Sequence, residues 1–378
     1  MKKLIEVAVY YFPNFHVDPR NEQWHGEGWT EWNLVKAATP RFPGHEQPKI
    51  PLWGYQDESK PEVAEKQIEA ASAHGITSFI YDWYWYEGRP FLNGALEKGF
   101  INATNNNKLK FALMWANHDW VNIFPYKRSS ELTLLAKGHT ERYSFDLATD
   151  YIIEHYFSHP SYLRMDGKLY FSVYELMSLV DGLGGIDEAR AALDSFRMKT
   201  RAAGLGELHL NAVVWGIRIL PKEKIVTNPQ EMLAKLGMDS VTSYVWMHHT
   251  AMESYPFVSY LKYAEQSIAC WDQLSEAFPL PYYPNVSMGW DSTPRTVQSD
   301  THAPLGYPHT SILVNNTPSE FKKALEAART YVERGHLSTP MITINSWNEW
   351  TEGSYLEPDT VHGMGYLEAL RDVFGVKE

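Results

Sequence analysis

Short apolar runs, rich in β-branched and aromatic residues, alternate along the chain with longer stretches of helical periodicity. The runs cover residues 7–12, 78–84, 110–116, 169–175, 209–215, 240–246, 282–290 and 341–347. Between them, apolar positions recur at helical spacing over 61–74, 187–203, 256–278, 318–334 and 363–374. Pro61 suits a first helical turn and Gly75 a helix end, and Gly204 closes the next pattern in the same way. Strand–helix alternation predicts parallel βα units. Eight of them in one chain predict a closed (β/α)8 TIM barrel, with an open doubly wound sheet as the other arrangement of the same pattern.

Two segments, 14–56 and 117–144, are long and poor in regular pattern. Each follows a predicted strand, which places it on the C-terminal face of the barrel, where the active sites of this fold form. No internal repeat, linker or low-complexity tract interrupts the pattern, and 378 residues is a length that one such barrel fills. The expectation is therefore one catalytic domain over residues 1–378, with long loops at the C-terminal face.

Composition narrows the functions this barrel can serve. Hydrophobic residues make up 44% and charged residues 21%, enough apolar matter for a packed core. The formal net charge is −12, without the clustered lysines and arginines that phosphate binding needs, so nucleic acid is not an expected partner. The one cysteine, Cys270, excludes an intrachain disulfide and any multi-cysteine metal site. No run reaches the roughly 18 apolar residues of a membrane-spanning helix. Met1-Lys2-Lys3 starts like a leader, but Glu6 interrupts the apolar run and no cleavage site follows. The compartment is open: cytoplasmic for the chain as it stands, exported if a leader was removed. Nothing in the pattern speaks to oligomeric state. Fourteen Trp and 23 Tyr are the unusual feature. Most suit core packing, but many fall where strands end, and sugar C–H faces stack on aromatic rings.

The densest chemistry is Asn345-Ser346-Trp347-Asn348-Glu349-Trp350-Thr351-Glu352-Gly353, where the last strand runs into a loop. In a straight strand Glu349 and Glu352 would point to opposite faces; a turn after Glu349 brings them together. Glycoside hydrolysis needs two carboxyl groups, and Trp347 and Trp350 can desolvate one of them and raise its pKa. A solvated loop with two incidental acids is the alternative. Other strand ends add Tyr11, Asp82, Trp83, Trp115, Asn117, His118, Tyr174, Tyr244, Trp290 and Asp291. Mixed polar groups and rings make good sugar-site material, although any one of them could equally be a structural hydrogen-bonding residue. There is no His-Glu-x-x-His pair, no Gly-x-Ser-x-Gly elbow and no phosphate-binding Gly-rich loop. His248 and His249 are adjacent and would diverge in a strand. No cofactor and no metal site is expected, with only a carboxylate-bound divalent cation left open.

Several stretches together resemble the glycoside hydrolase family 99-like proteins, also called the WbsX-like group. They are Tyr10-Tyr11-Phe12-Pro13-Asn14-Phe15-His16 with Gly28-Trp29-Thr30-Glu31-Trp32, then Trp115-Ala116-Asn117-His118-Asp119-Trp120, then Gly289-Trp290-Asp291-Ser292-Thr293-Pro294-Arg295, and last Asn348-Glu349-Trp350-Thr351-Glu352-Gly353 continuing to Glu357-Pro358. The resemblance spans nearly the whole chain. It implies a (β/α)8 barrel, an endo-acting α-mannosidase relationship and a retaining mechanism in which the substrate's own 2-hydroxyl attacks the anomeric carbon. The Asn-Glu-Trp-x-Glu match implies Glu349 as base toward that hydroxyl and Glu352 as acid/base at the leaving oxygen. The WbsX-like group also carries a glycosyltransferase label. A nucleotide-sugar transferase should show a diphosphate or metal-binding feature, and the sequence has none. The expectation is a hydrolase of α-linked, mannose-containing carbohydrate. A glycosyltransferase or transglycosylase, and a non-catalytic carbohydrate-binding barrel, are the alternatives.

Overall fold

A computed structural model describes residues 4–128, 131–220, 223–226, 228–334 and 337–375. Its centre is a nearly closed barrel of nine parallel strand segments: β1 (Glu6–Tyr11), β2 (Ser78–Tyr86), β3 (Lys110–Trp115), β4 (Lys168–Val173), β5 (Leu208–Val213), β6 (Ser240–Thr242), β7 (Tyr282–Tyr283), β8 (Asn285–Ser287) and β9 (Met341–Asn345). They follow one another around the barrel in chain order, and β9 brings the ring round between β8 and β1. Ala8 of β1 pairs with Ser78 of β2, and Glu6 pairs with Met341 of β9. The segments β7 and β8 fill one position. Pro284 separates them, and a proline has no N–H for the ladder. The first half pairs with β6 and the second with β9, while the Pro284 carbonyl accepts from Thr343 N at 3.0 Å.

Every residue of β1, β2, β5 and β9 is buried, as expected of parallel strands covered on both faces. The outer layer includes helices Pro61–Ala73, Arg142–His155, Ile186–Ala202, Pro229–Leu236, Tyr260–Ala277, Pro318–Glu333 and Gly365–Phe374. Pro318–Glu333 starts cleanly because Thr317 Oγ1 accepts from Glu320 N at 3.4 Å and proline occupies the first turn. The barrel's interior floor is polar, with hydrogen bonds running from strand to strand: Ser172 donates to Asn211 at 2.9 Å, Asn211 to Ser240 at 2.8 Å, and Asn285 to Thr343 at 3.1 Å. Among the described residues no helix is long and apolar enough to cross a membrane.

The predicted barrel forms, but most of its strands stop earlier than their apolar runs. The run 240–246 is strand only over Ser240–Thr242, and Trp246–His248 is a 3₁₀ turn whose first N–H is taken by Ser287 Oγ at 2.9 Å. The pattern 256–278 begins with a short strand, Phe257–Ser259, paired with Ile312–Val314, before the helix Tyr260–Ala277. Helix Arg142–His155 was not anticipated; only Phe145, Ala148, Thr149 and Ile152 are buried, too sparse a stripe to stand out beside a long loop.

Candidate active site

Beyond β9 the chain turns sharply. Asn348–Glu349 pairs antiparallel with Ser354–Tyr355, and Trp350–Glu352 between them is a 3₁₀ turn. Residues three apart eclipse in such a turn, so Glu349 and Glu352 come to one side. Gly353 ends the turn at φ 61°, and a Cβ there would sit 2.7 Å from Asp291 Cβ and 2.9 Å from Asp291 N. Glycine is needed on both counts.

Both carboxyls face a solvent-open cavity of about 670 Å³ at the C-terminal end of the barrel. Phe12, Tyr84, Trp120, Phe124, Tyr174, Tyr244 and Trp290 supply its aromatic walls. Glu349 is 4% exposed, and its Oε2 accepts from Asn345 Nδ2 at 2.8 Å. Burial, then the charges of Glu352 and Asp82, push its pKa well up. Glu352 Oε1 accepts from Tyr307 Oη at 2.7 Å and from Arg295 Nη1. Burial raises its pKa, and Arg295 and Tyr307 offset part of that rise. Arg295 is shared: its Nε and Nη2 both lie 2.8 Å from Glu31 Oε1, which Thr351 Oγ1 also contacts, while Asn14 Nδ2 donates to Glu31 Oε2 at 2.6 Å. The guanidinium lies over Phe12 and Phe124, at 5.3 and 5.4 Å from the ring centres. One arginine thus serves two buried carboxylates.

Asp82 and Asp119 also line the cavity; Asp82 Oδ2 accepts from Tyr244 Oη at 3.0 Å, and burial pushes its pKa well up. His118 Nδ1 is 3.0 Å from the Asp119 carbonyl, so that nitrogen carries the hydrogen; burial lowers the ring's pKa and keeps it neutral. Tyr174 Oη donates to Glu223 Oε1 at 2.8 Å.

Of the twelve residues singled out from sequence, Glu349, Glu352, Asp82, His118, Tyr174, Tyr244 and Trp290 line this cavity together. Five do not. Tyr11 donates to Gln67 on helix Pro61–Ala73 at 3.0 Å, Trp83 Nε1 reaches Tyr156 Oη at 3.3 Å, and Trp115 stacks on Phe145 with centroids 5.8 Å apart. All three point outward into the helical layer, because neighbouring residues of a strand face opposite sides. Asn117 exchanges hydrogen bonds with the backbone of Glu175, both at 2.8 Å, tying two strand ends together. Asp291 sits behind the turn, where His45, Gln47 and Thr293 surround it. Conversely, Phe12, Tyr84, Trp120, Phe124 and Arg295 line the cavity unanticipated. Alternation along β1 and β2 would have pointed to Phe12 and Tyr84. Glu31 and Arg295 lay inside stretches already noted, yet their pairing has no local signal. Among the described residues, no group of three or more His, Cys, Asp or Glu is arranged to hold a metal ion.

The family described as Glycosyltransferase WbsX matches residues 7–370. Two curated relatives from Xanthomonas campestris pv. campestris, strains ATCC 33913 and B100, both described as Uncharacterized protein WxcX, are each 28% identical over 97% of this chain. The matched region is 49% of their length, so the chain spans about half of the curated relatives it matches. Among solved structures, the GH99 endo-α-mannosidase from Bacteroides thetaiotaomicron superposes with TM-score 0.56 at 16% identity, over 97% of this chain and 95% of its own. A glycoside hydrolase-like protein superposes with TM-score 0.61 at 16% identity, over 100% and 95%. At such identities the likeness shows the barrel fold alone.

Proposed function

The chain belongs to the Glycosyltransferase WbsX family, and from that premise we propose that it is a carbohydrate-active enzyme: a retaining glycoside hydrolase acting on α-linked, mannose-containing oligo- or polysaccharides. The observation that carries this reading is the pair of buried glutamates on one wall of an open, ring-lined cavity. Glu349 takes the proton of the sugar's 2-hydroxyl as that oxygen bonds to the anomeric carbon. The anomeric bond to the leaving oxygen breaks, and Glu352 protonates that oxygen. In the second half Glu352 draws a proton from water, the water oxygen attacks the anomeric carbon as that carbon's bond to the 2-oxygen breaks, and Glu349 returns its proton to the freed 2-oxygen. The role of each glutamate follows the Asn-Glu-Trp-x-Glu resemblance. The electrostatics support it in kind. A base works best with a pKa near the working pH, and an acid must hold its proton there. Burial raises all three, with the charge of Glu352 adding to the rise of Asp82 and Glu349 and that of Glu31 to the rise of Glu352, so the set retains protons that isolated carboxyls would lose.

A panel of α-linked mannans and related bacterial polysaccharides, incubated with wild type and with the E349Q/E352Q double variant, tests the proposal. Sugar release by wild type alone is the expected result, and product sizes give linkage and endo or exo action. The family's description favours a second reading, sugar transfer through the same cavity. No release from any substrate, with nucleotide-sugar binding by calorimetry, would establish that reading instead.

A further inference from the structure

Asp82 stands apart from the other acids of the cavity. Its Oδ2 has one donor, Tyr244, and its Oδ1 is enclosed without any hydrogen-bond partner, although the residue lines the cavity wall. An ionised carboxylate at such depth ordinarily collects several donors. Asp291, 5% exposed against 4% for Asp82, has four: His45 Nε2 at 2.8 Å, Gln47 Nε2 at 2.7 Å, and Thr293 N and Oγ1 at 3.0 and 2.6 Å. The groups turned toward Asp82 are Tyr10 from β1, Tyr84 from its own strand, Tyr244 beyond β6, Glu349 and Glu352 from the turn after β9, and Arg295. Arg295 is the one cation among them, and Glu31 and Glu352 already hold it.

We propose that Asp82 serves the reaction as an uncharged carboxylic acid, its Oδ1–H donating a hydrogen bond to an oxygen of the bound sugar. This role rests on the glycosidase reading of the cavity. A neutral acid matches both of its atoms: Oδ2 accepts from Tyr244, and Oδ1 carries a hydrogen that finds its acceptor when a sugar oxygen arrives. Burial, and after it the charge of Glu352, favours the neutral form. A neutral Asp82 also adds no third negative charge beside Glu349 and Glu352, so it orients substrate without opposing the ionisation of the glutamate that must act as base.

Asp82→Asn and Asp82→Ala separate this role from that of an ionised anchor. Asparagine keeps the shape and offers N–H in place of O–H, so Asp82→Asn should stay within about tenfold of wild-type kcat/KM, while Asp82→Ala loses about tenfold or more beyond that. The acidic limb of the pH–kcat/KM profile should stay in place in Asp82→Asn, because no charge has been removed. If Asp82 is ionised, deleting its charge lowers the pKa of both glutamates and moves the profile to lower pH. Asn falling as far as Ala, the profile moving, or Ala matching wild type would each overturn the proposal. A second measurement does not depend on turnover. The infrared difference spectrum of wild type minus Asp82→Asn, at neutral pH in D2O, should contain the carbonyl band of a neutral carboxylic acid. Carboxylate bands there overturn the proposal. An inactive wild type that still shows the acid band would count against the glycosidase reading and leave the protonation of Asp82 established.

Discussion

Asp82, inside β2, and Asp291, just beyond β8, are both nearly inaccessible aspartates, and they do opposite things. Asp291 is wrapped by donors. Burial alone would raise its pKa, but the contacts of His45, Thr293 and Gln47 overcome that and hold it at about 2. Its work is structural: Gly353 and the turn that carries Glu349 and Glu352 pack against it, and its own N–H reaches the Glu352 carbonyl at 2.5 Å. Asp82 has a single donor on Oδ2 and none on Oδ1. The difference teaches that burial does not make an acid functional or inert; the number of donors that the surrounding loops supply decides its charge, and that charge decides its use.

The contrast between structural and reactive acids can be broken or sharpened by substitution. The largest effect belongs to the glutamate pair. Glu349→Gln should lower kcat by about 10³-fold or more on every substrate, whereas Glu352→Gln should lose most on substrates with poor leaving groups and least on activated aryl glycosides, which need little protonation. Equal losses of Glu352→Gln on both substrate classes would remove it from the acid role. Next comes Arg295→Ala. It leaves Glu31 and Glu352 buried without their cation and should cost about 3–5 kcal/mol in urea unfolding. A variant as stable as wild type would mean the ion pairs are not formed.

Asp291→Ala should follow, at about 1–3 kcal/mol of stability from its orphaned donors, while Asp82→Asn leaves the unfolding midpoint nearly in place. The pH dependence has a definite sign. The folded pKa of Asp291, about 2, lies below its ordinary 3.8. Its contribution is therefore complete above pH 4 and is lost as pH falls from there toward 2. The stability of wild type should fall toward that of Asp291→Asn across that window as pH drops, and parallel curves would refute the assignment. The smallest effect concerns the outward rings. Trp83→Phe, facing Tyr156 and not the cavity, should leave kcat/KM unchanged at a stability cost of about 1–2 kcal/mol. A fall in kcat/KM with intact stability would move Trp83 into the site.

Much of this was legible in the chain. Short apolar runs alternating with helical patterns predicted the barrel, because each element's pattern reports the surfaces it must bury. Glu349 and Glu352 stood out because two acids and two tryptophans crowd one strand end. Selection among the other strand-end residues was harder. Asp82 and Trp83, or Phe12 and Tyr11, are neighbours that a strand sends to opposite sides, and composition does not say which side is the cavity. The triad of Glu31, Arg295 and Glu352 was not legible at all, since its members come from three loops far apart in sequence.

By itself, then, the sequence determined the number and kind of elements, the face on which loops gather, and the two acids around which a reading of sugar chemistry could be built. These are local properties, set by hydrophobic period and by which residues stand side by side. The tertiary structure alone decided which way each strand-end side chain points, which carboxyl shares Arg295, and which aspartate is left with a single donor. Those outcomes depend on side chains from distant loops meeting in a dry space, where each donor gained or missing shifts a proton, and no stretch of the chain read alone carries that information.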